Sequence, residues 1–556
     1  RNKFGLDMLE LEDILGKGIH NFALAPLELG RIYAATDSYA TLLLYQFYLK
    51  DLNDDIIYKM ENKLLPIVAE MEYRGVKIDG EALKKAKDVI TAENKELEAK
   101  IYELAGVRFK ITSSQQLADV LFTKLGLPPG EMTSEDSDTP STDKFALAKL
   151  EHPIIPLIQK YKKNSTLITS FLIKLPTKLD ASGHVHTHLN PYGAITGRFT
   201  CSNPNLQQIP KAKEDGENSE VIRRSFIADE GYYLISCDYS MIEYRVMASL
   251  CKDEKLIKLF NEGIDIHAGT ASIMFKIPLD KVTKDMRSKG KTINFGLLFG
   301  MGAYRLSKNL KCSEEEANVL LEAYFEAIPG VKPWIENIKA KVRETKMCST
   351  YFGRVRRLPD AGLPNIKENR QAIGEALRQG TNTTIQGSAA EFLKISMIRL
   401  QDALKGKDMH MILQIHDELL FLVNKNVLID DAVSLIKGCM ELKIEGFVPI
   451  VADPAIGYSW GEMVDYTPGM TLNDIPFYGD LTISEDKNTF EKCGEELKKI
   501  FGEFRGNQQV FIDIGNKTIQ PQEVDNETGE IMDVKVSTSP TLLSKIKELG
   551  LMVKTG

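Results

Sequence analysis

The chain has 556 residues, 43% of them apolar and 27% charged, with 40 Gly and 22 Pro, a composition that excludes collagen-like and fully disordered chains. No apolar run reaches the ~20 residues of a membrane helix, because the richest stretch, Met411 to Val423, is broken by Gln, His, Asp and Glu. The net charge of −8 argues mildly against a protein that simply coats nucleic acid, although an enzyme working on DNA needs only a local basic cleft. At about 150 residues per domain the length predicts three or four domains. The seven cysteines are scattered without a Cys-x-x-Cys pair, so neither a zinc site nor a disulfide framework is expected, and a reducing, cytoplasmic setting fits. Residue 1 is Arg, with no initiator Met or signal peptide ahead of it, which predicts a fragment of something longer.

In chain order, residues 1 to about 52 are apolar-periodic and end in a helix-like run, Leu27 to Leu52. Ile56 to about Leu104 repeats apolar residues at helical spacing and predicts long amphipathic helices interrupted at Arg74 to Asp79. Gly126 to Asp143, rich in Pro, Gly, Ser, Thr and Asp, predicts a loop. Alternating segments at Val185 to Leu189 and Tyr232 to Asp238 predict strands. Helical periodicity dominates from Met241 to about Leu404, and Met409 to Val423 predicts two strands around a polar bend at His416, Asp417 and Glu418. Pro468, Gly469, Pro476 and Gly479 predict a linker, followed by a helix near Phe490 to Phe504 and a strand at Gln509 to Ile514, a separate small domain. Four basic clusters stand out: Lys160, Lys162, Lys163; Arg223, Arg224; Lys281, Lys284, Arg287, Lys289, Lys291; and Arg354, Arg356, Arg357. Each is expected first as a solvated face.

Asp238 follows the apolar run Tyr232 to Cys237, where a strand ends and side chains become accessible. Asp417 lies at the bend of the second apolar hairpin. Two carboxylates presented at strand ends can converge across one sheet and hold a pair of Mg²⁺ ions for phosphoryl transfer. Taken singly, each is more often a turn or cap residue. Arg287, Lys291 and Phe295 fall at i, i+4 and i+8, placing two cations and one ring on one helix face. A triphosphate would lie along the cations while a base stacks on the ring; an amphipathic helix with a core Phe is the plainer reading.

Asp238-Tyr-Ser-Met-Ile-Glu243-Tyr-Arg245, the Arg287 to Gly300 segment and Gln414-Ile-His416-Asp417-Glu418 resemble, in order, the three polymerase motifs of the A-family DNA polymerases, the bacterial DNA polymerase I family. Thr196-Gly-Arg198, Asn203 to Pro210, Asp265-Ile-His267, Tyr351-Phe-Gly-Arg354 and Asn382 to Gly387 add to the resemblance, which covers roughly residues 1 to 463. It implies an α+β right-hand fold of thumb (about 53–190) and palm and fingers (about 191–463), with a truncated exonuclease-like N-terminus at 1–52 and a C-terminal appendage at 464–556.

The resemblance also implies roles. Asp238 and Asp417 would ligate two Mg²⁺ ions, for which Mn²⁺ can substitute, with Glu418 beside them and the Tyr239 carbonyl as an extra ligand. Arg287, Lys291 and His267 would hold the incoming deoxynucleoside triphosphate, Lys291 also donating a proton to the leaving pyrophosphate. Phe295 would stack on the nucleotide, and Glu243 would exclude a ribose hydroxyl. Arg198, Asn382, Gln386, Gln414 and His416 would touch the primer-template DNA. Phe299 stands where the family usually has a Tyr whose hydroxyl reaches Glu243, so that carboxylate is expected to be less firmly placed; Met241 and Tyr244 replace a Gln and a Leu.

Tyr33-Ala-Ala-Thr-Asp37 resembles the last motif of the 3′-5′ proofreading domain, whose other metal carboxylates are absent upstream of Tyr33. Asp37 alone holds no two-metal site, so proofreading is expected to be lacking and a nuclease centred on Asp37 is a weak rival; a non-enzymatic DNA-binding scaffold is weaker still, because Asp238, Asp417, Arg287 and Lys291 are intact. His184, His186 and His188 alternate and would share a strand face, a remote zinc possibility. The stretch Phe490 to Phe511 with Val536 to Gly550 faintly resembles the C-terminal partner-binding domain of bacterial replicative polymerase III alpha subunits. It predicts a replication accessory protein docking through residues 467–556. The tail and the unusual motif letters suggest a phage replicative enzyme, acting in the host cytoplasm.

Overall fold

The computed structural model describes residues 4–6, 8–18, 21–52, 55–129, 139–209, 217–298 and 300–476, and beyond them short strands and a few helical positions. Helix α1 spans Leu27–Leu52. Helix α2, Ile56–Arg74, starts where the Asp55 carboxylate accepts the Tyr58 N–H and stops at Gly75 (φ 69°). Helix α3, Gly80–Ala105, is capped by Asp79 and ends at Gly106 in the left-handed region. The predicted break at Arg74 to Asp79 is thus a C-terminal glycine, Gly75, and an N-cap, Asp79, with a short strand between. Between them, Val76–Lys77 pairs with His184–Val185. Helix α4, Ile154–Leu167, packs on α3, where Asn94 bonds Ser165 and Glu93 pairs with Lys160. Of the predicted loop Gly126 to Asp143, residues 130–138 lie outside the described residues.

The palm sheet has five strands: β1 Tyr232–Tyr239, β2 Met409–Ile415, β3 Glu418–Asn424, β4 Ala452–Gly457 and β5 Val464–Asp465, in the order β5-β4-β1-β3-β2. Neighbours are antiparallel throughout. Central β1 is apolar almost end to end because both faces are covered. Helix α10, defined below, contributes Phe392, Met397 and Leu400 to the same core. Truncating Phe392 to Ala would cost about 3–5 kcal/mol, the usual range for an emptied aromatic site. The sheet runs past the expected boundary at 463: β5 pairs with β4, Tyr466 bonds Asp430, and Ile475 is fully buried in the palm core.

Between β1 and β2 the fingers are helical: α5 Ile242–Cys251, α6 Ile266–Phe275, α7 Lys284–Leu298, α8 Glu314–Ala327 and α9 Val331–Thr345, then the long α10 Arg370–Ala403; α11 Ile429–Met440 follows β3. They close around a second core containing Tyr244, Ile293, Leu306 and Tyr324. The predicted helical stretch to Leu404 is interrupted by a hairpin, Met347–Ser349 with Val355–Arg357. Its turn places Gly353 at φ 104°, a conformation that helical periodicity does not signal.

In the C-terminal part, β6 Leu481–Glu485, β7 Arg505–Ile514, β8 Lys517–Ile519 and β9 Met552–Thr555 form a sheet in the order β8-β7-β6-β9. The expected strand Gln509 to Ile514 lies within β7. Of the expected helix Phe490 to Phe504, only Leu497, Ile500 and Phe501 are among the described residues, all buried. No helix among the described residues is long and apolar enough to cross a membrane.

Candidate active site

The register of the palm sheet assembles the acidic floor. Asp238, at the end of β1, lies opposite Glu418 of β3 on one side and Asp453 of β4 on the other. The Tyr239 N–H donates to the Asp417 carbonyl at 3.2 Å. Asp417, in the turn just before β3, therefore sits beside the end of β1 that carries Asp238. Asp453 went unnoticed in the sequence; strand alternation around it is masked by Pro454, and only the register puts it in this row. Glu418 is the first residue of β3 rather than part of the bend. Its buried carboxylate accepts from the Ser236 hydroxyl at 2.5 Å and the Trp460 indole N–H at 2.8 Å.

Both motif turns hold a non-glycine residue in the left-handed region, Met241 (φ 54°) and His416 (φ 56°). Such backbone costs of order 1–3 kcal/mol and persists where its surroundings fix it. Arg245 fixes the first, donating to the Ser240 carbonyl at 2.7 Å and the Pro449 carbonyl at 2.5 Å. Gln414 fixes the second: its amide donates to the His416 carbonyl at 2.6 Å and accepts from Gln207 at 2.9 Å. Gln414 and His416, expected at the DNA, thus begin as one turn-stabilising unit, and Gln207 is an added member that its polar context did not single out.

Two carboxylates and the Tyr239 carbonyl are hard oxygen donors. Among the described residues no three His, Cys, Asp or Glu side chains make a ready cage. Mg²⁺ fits such a set, since it takes one or two carboxylates and completes its octahedron with water and substrate phosphates.

Glu243 sits in the first turn of α5, and the Arg198 guanidinium pairs with its carboxylate. Burial raises the Glu243 carboxyl above its ordinary value; Arg198 opposes this and nearby Asp417 adds to it. The Glu243 carboxylate thus has a guanidinium partner that the sequence did not indicate. Arg198, expected at the primer-template, makes that pair. Phe299 lies outside the described residues, as does the side chain of Phe295.

On α7, Arg287 and Lys291 are one turn apart, as the spacing predicts. Arg287 makes a two-point pair with Asp265, at 3.2 and 2.7 Å. Asp265 also caps α6 through the Ala268 N–H at 2.7 Å. Burial works to raise the Asp265 carboxyl, but the Arg287 and Ala268 hydrogen bonds outweigh it and hold it below its ordinary value. His267, next to that cap, is pushed down to about 4, first by burial, with Arg287 and Lys291 adding and Asp265 opposing. Three residues expected at the triphosphate thus share one electrostatic neighbourhood.

Asn382 and Gln386 lie one turn apart on α10. The Asn382 side-chain oxygen is buried without a hydrogen-bond partner among the described residues, an acceptor suited to a donor from outside the chain. The Arg354 cluster is not a solvated face: Arg354 pairs with Glu61 and Glu391, and Lys394 reaches Glu61 at 2.5 Å. Burial pushes Lys394 down to about 8. Removing one member of such a buried set costs about 3–5 kcal/mol. Arg223 stacks on Trp460 and Arg224 pairs with Glu462.

The histidine row does not converge. His184 faces Asp229 at 3.0 Å, His186 faces Asp180 and the Glu72 carbonyl, and His188 faces the Glu72 carboxylate. Tyr33 and Asp37 lie on α1, Tyr33 against the Phe22 ring.

Residues 80–462 match DNA polymerase family A. The thermostable DNA polymerase I of Thermus filiformis is 38% identical over 407 residues, 73% of this chain and 48% of that protein. DNA polymerase I of Pseudomonas aeruginosa is 34% identical over 472 residues, 82% of this chain and 50% of that one. The chain thus spans about half the length of these curated relatives. Among solved structures, the POL domain of Pol1 from M. smegmatis, in complex with DNA primer-template and dNTP, is similar at 32% identity and a TM-score of 0.70, covering 78% of this chain and 75% of that one. With a matched span that contains the acidic floor, the Glu243 turn and the cationic helix, this chain belongs to DNA polymerase family A.

Proposed function

We propose that the chain is a template-directed DNA polymerase that adds deoxynucleotides to a primer 3′ end and releases pyrophosphate. The observation that carries this reading is the approach of Asp238, near the end of β1, and Asp417, in the turn that enters β3, from segments distant in sequence. Asp238, Asp417 and the Tyr239 carbonyl would hold two Mg²⁺ ions, which when bound activate the primer hydroxyl and neutralise the leaving phosphates. Arg287 and Lys291 bind the triphosphate from α7, and Lys291 Nζ gives its proton to the departing pyrophosphate oxygen. Phe295 carries the base, while Glu243, held by Arg198, fills the space a 2′-hydroxyl would need. Glu418 ties β3 to β1 through Ser236 and to Trp460 rather than reaching the reacting atoms. Asn382, Gln386 and the Gln414–His416 turn face the primer-template.

Residues 1–52 are read as a remnant of a proofreading domain in which Asp37 lacks partners, and the segment after residue 476 as a docking module for a replication partner. Incubating the chain with a 5′-labelled primer on a template, Mg²⁺ and all four dNTPs tests the reading. Template-dependent lengthening is expected; unchanged or shortened primer overturns it.

A further inference from the structure

A row of buried polar side chains crosses the fingers core. The Tyr324 hydroxyl (α8) lies 2.8 Å from the Tyr244 hydroxyl (α5), which is 2.8 Å from Asn294 Oδ1 (α7). Asn294 Nδ2 is 3.0 Å from His267 Nδ1 and 3.3 Å from Thr270 Oγ1, both on α6. Every member is at most 6% exposed, so none can exchange its partner for water without opening the core.

The chemistry of the groups orients the row. Asn294 Oδ1 only accepts, so the single Tyr244 hydroxyl proton points to it, and Tyr324 must then donate to Tyr244. Asn294 Nδ2 only donates, and its two hydrogens meet two acceptors, Thr270 Oγ1 and His267 Nδ1. An imidazole whose Nδ1 accepts carries its proton on Nε2.

We propose that Tyr244 is a positioning residue for the nucleotide site: acting through Asn294, it sets His267 as the Nε2–H tautomer and turns that donor toward the incoming triphosphate. This rests on reading His267 as a triphosphate contact. His267 stands in the first turn of α6, beside the Asp265–Arg287 pair, where helix N–H groups favour an anion. Its depressed pKa, a consequence of burial, keeps the ring neutral at physiological pH. The site then offers two basic side chains from α7 and one uncharged, directional donor from α6. Losing the Tyr244 hydroxyl leaves Asn294 free to turn its amide over, which moves the ring proton to Nδ1 and presents the triphosphate with a lone pair.

Two measurements test this. In ¹⁵N-histidine-labelled full chain, the His267 nitrogens should report a protonated Nε2 and a bare Nδ1 at neutral pH; a protonated Nδ1 overturns the proposal, and this readout needs no variant. In single-nucleotide insertion with Mg²⁺, Tyr244→Phe should raise the dNTP KM by ~3–10-fold, the worth of one hydrogen bond, with kcat within ~2-fold. Tyr324→Phe, equally buried but on the far side of the donor, should leave KM within ~2-fold. His267→Ala should raise KM, and adding Tyr244→Phe to it should do no further harm. Multiplying effects, or an unchanged KM in Tyr244→Phe beside a raised one in His267→Ala, overturn the relay while leaving the nucleotide site standing. An unchanged KM in His267→Ala overturns the reading of the site itself.

Discussion

The palm and the fingers build their halves of the site by different means. In the palm, Asp238 and Asp417 are placed by main-chain register: the Tyr239 N–H on the Asp417 carbonyl fixes one strand end against the next. In the fingers, α7 gives Arg287 and Lys291 a common face, but side-chain pairs hold the site together, Asp265 on Arg287 and Asn294 of α7 on His267. A backbone-set site is rigid and tolerant of its neighbours' identities. A site set by side-chain partners is adjustable and breaks when a partner changes.

The largest effect should come from the palm. Asp238→Asn or Asp417→Asn should lower kcat/KM for insertion by at least ~10³-fold, since the ions each carboxylate would hold stabilise the transition state by several kcal/mol. Primer-template affinity, read by fluorescence anisotropy, should stay within ~3-fold because phosphate contacts supply most of it. Insertion within ~10-fold of wild type would remove the palm from the comparison.

The fingers predict a dependence on pH. Burial pushes the His267 ring in the folded chain down to about 4, below the ordinary value of 6.5. Between those pH values the unfolded chain binds a proton that the folded chain refuses. Stability should therefore fall as pH drops from about 6.5 to about 4, by at most about 3 kcal/mol from this group. Urea melts across that window should show a shallower loss for His267→Gln than for wild type; parallel curves would mean the ring is not buried as described.

Much of this was legible in the sequence, for identifiable reasons. The helix of Leu27–Leu52 and the break between α2 and α3 follow from apolar spacing and from Gly75 and Asp79. The two-strand reading of Met409 to Val423 follows from apolar residues flanking one polar bend. The partners were not legible. Nothing local joins Arg198 to Glu243, Gln207 to Gln414, or Tyr244 to Asn294, because those bonds span 45, 207 and 50 residues. Tyr244 was visible only as an unusual letter in a motif; its hydroxyl gains meaning once Asn294 lies beside it.

Glu243 lies where the two halves meet, carried by a palm turn yet held by a side chain. Arg198→Ala should loosen its placement and relax rejection of ribonucleotides by about 1 kcal/mol, or ~5-fold, the size of one hydrogen bond. Competition between a dNTP and the matching rNTP measures it. Phe299→Tyr should change that ratio less than Arg198→Ala does; the reverse order would mean the guanidinium is not the main anchor.

The smallest effect on chemistry should come from the C-terminal sheet. Residues up to Ile475 are packed in the palm core, so the cut belongs after them. Deleting residues 477–556 should leave single-nucleotide insertion within ~2-fold, because every residue read as touching the metals or the triphosphate lies before residue 418. Products per binding event should shorten only when the native replication partners are present; equal lengths with and without them would assign the segment another purpose.

The account's central claim is that strand register, with the turn that enters β3, brings Asp238 and Asp417 together as the holders of two ions. Mn²⁺ counted by electron paramagnetic resonance, in a complex of the chain with a dideoxy-terminated primer-template and the next dNTP, reads this without any turnover. Two bound ions are predicted for the wild type and no more than one for Asp417→Asn. Two ions retained by a variant carrying both Asp238→Asn and Asp417→Asn would contradict it.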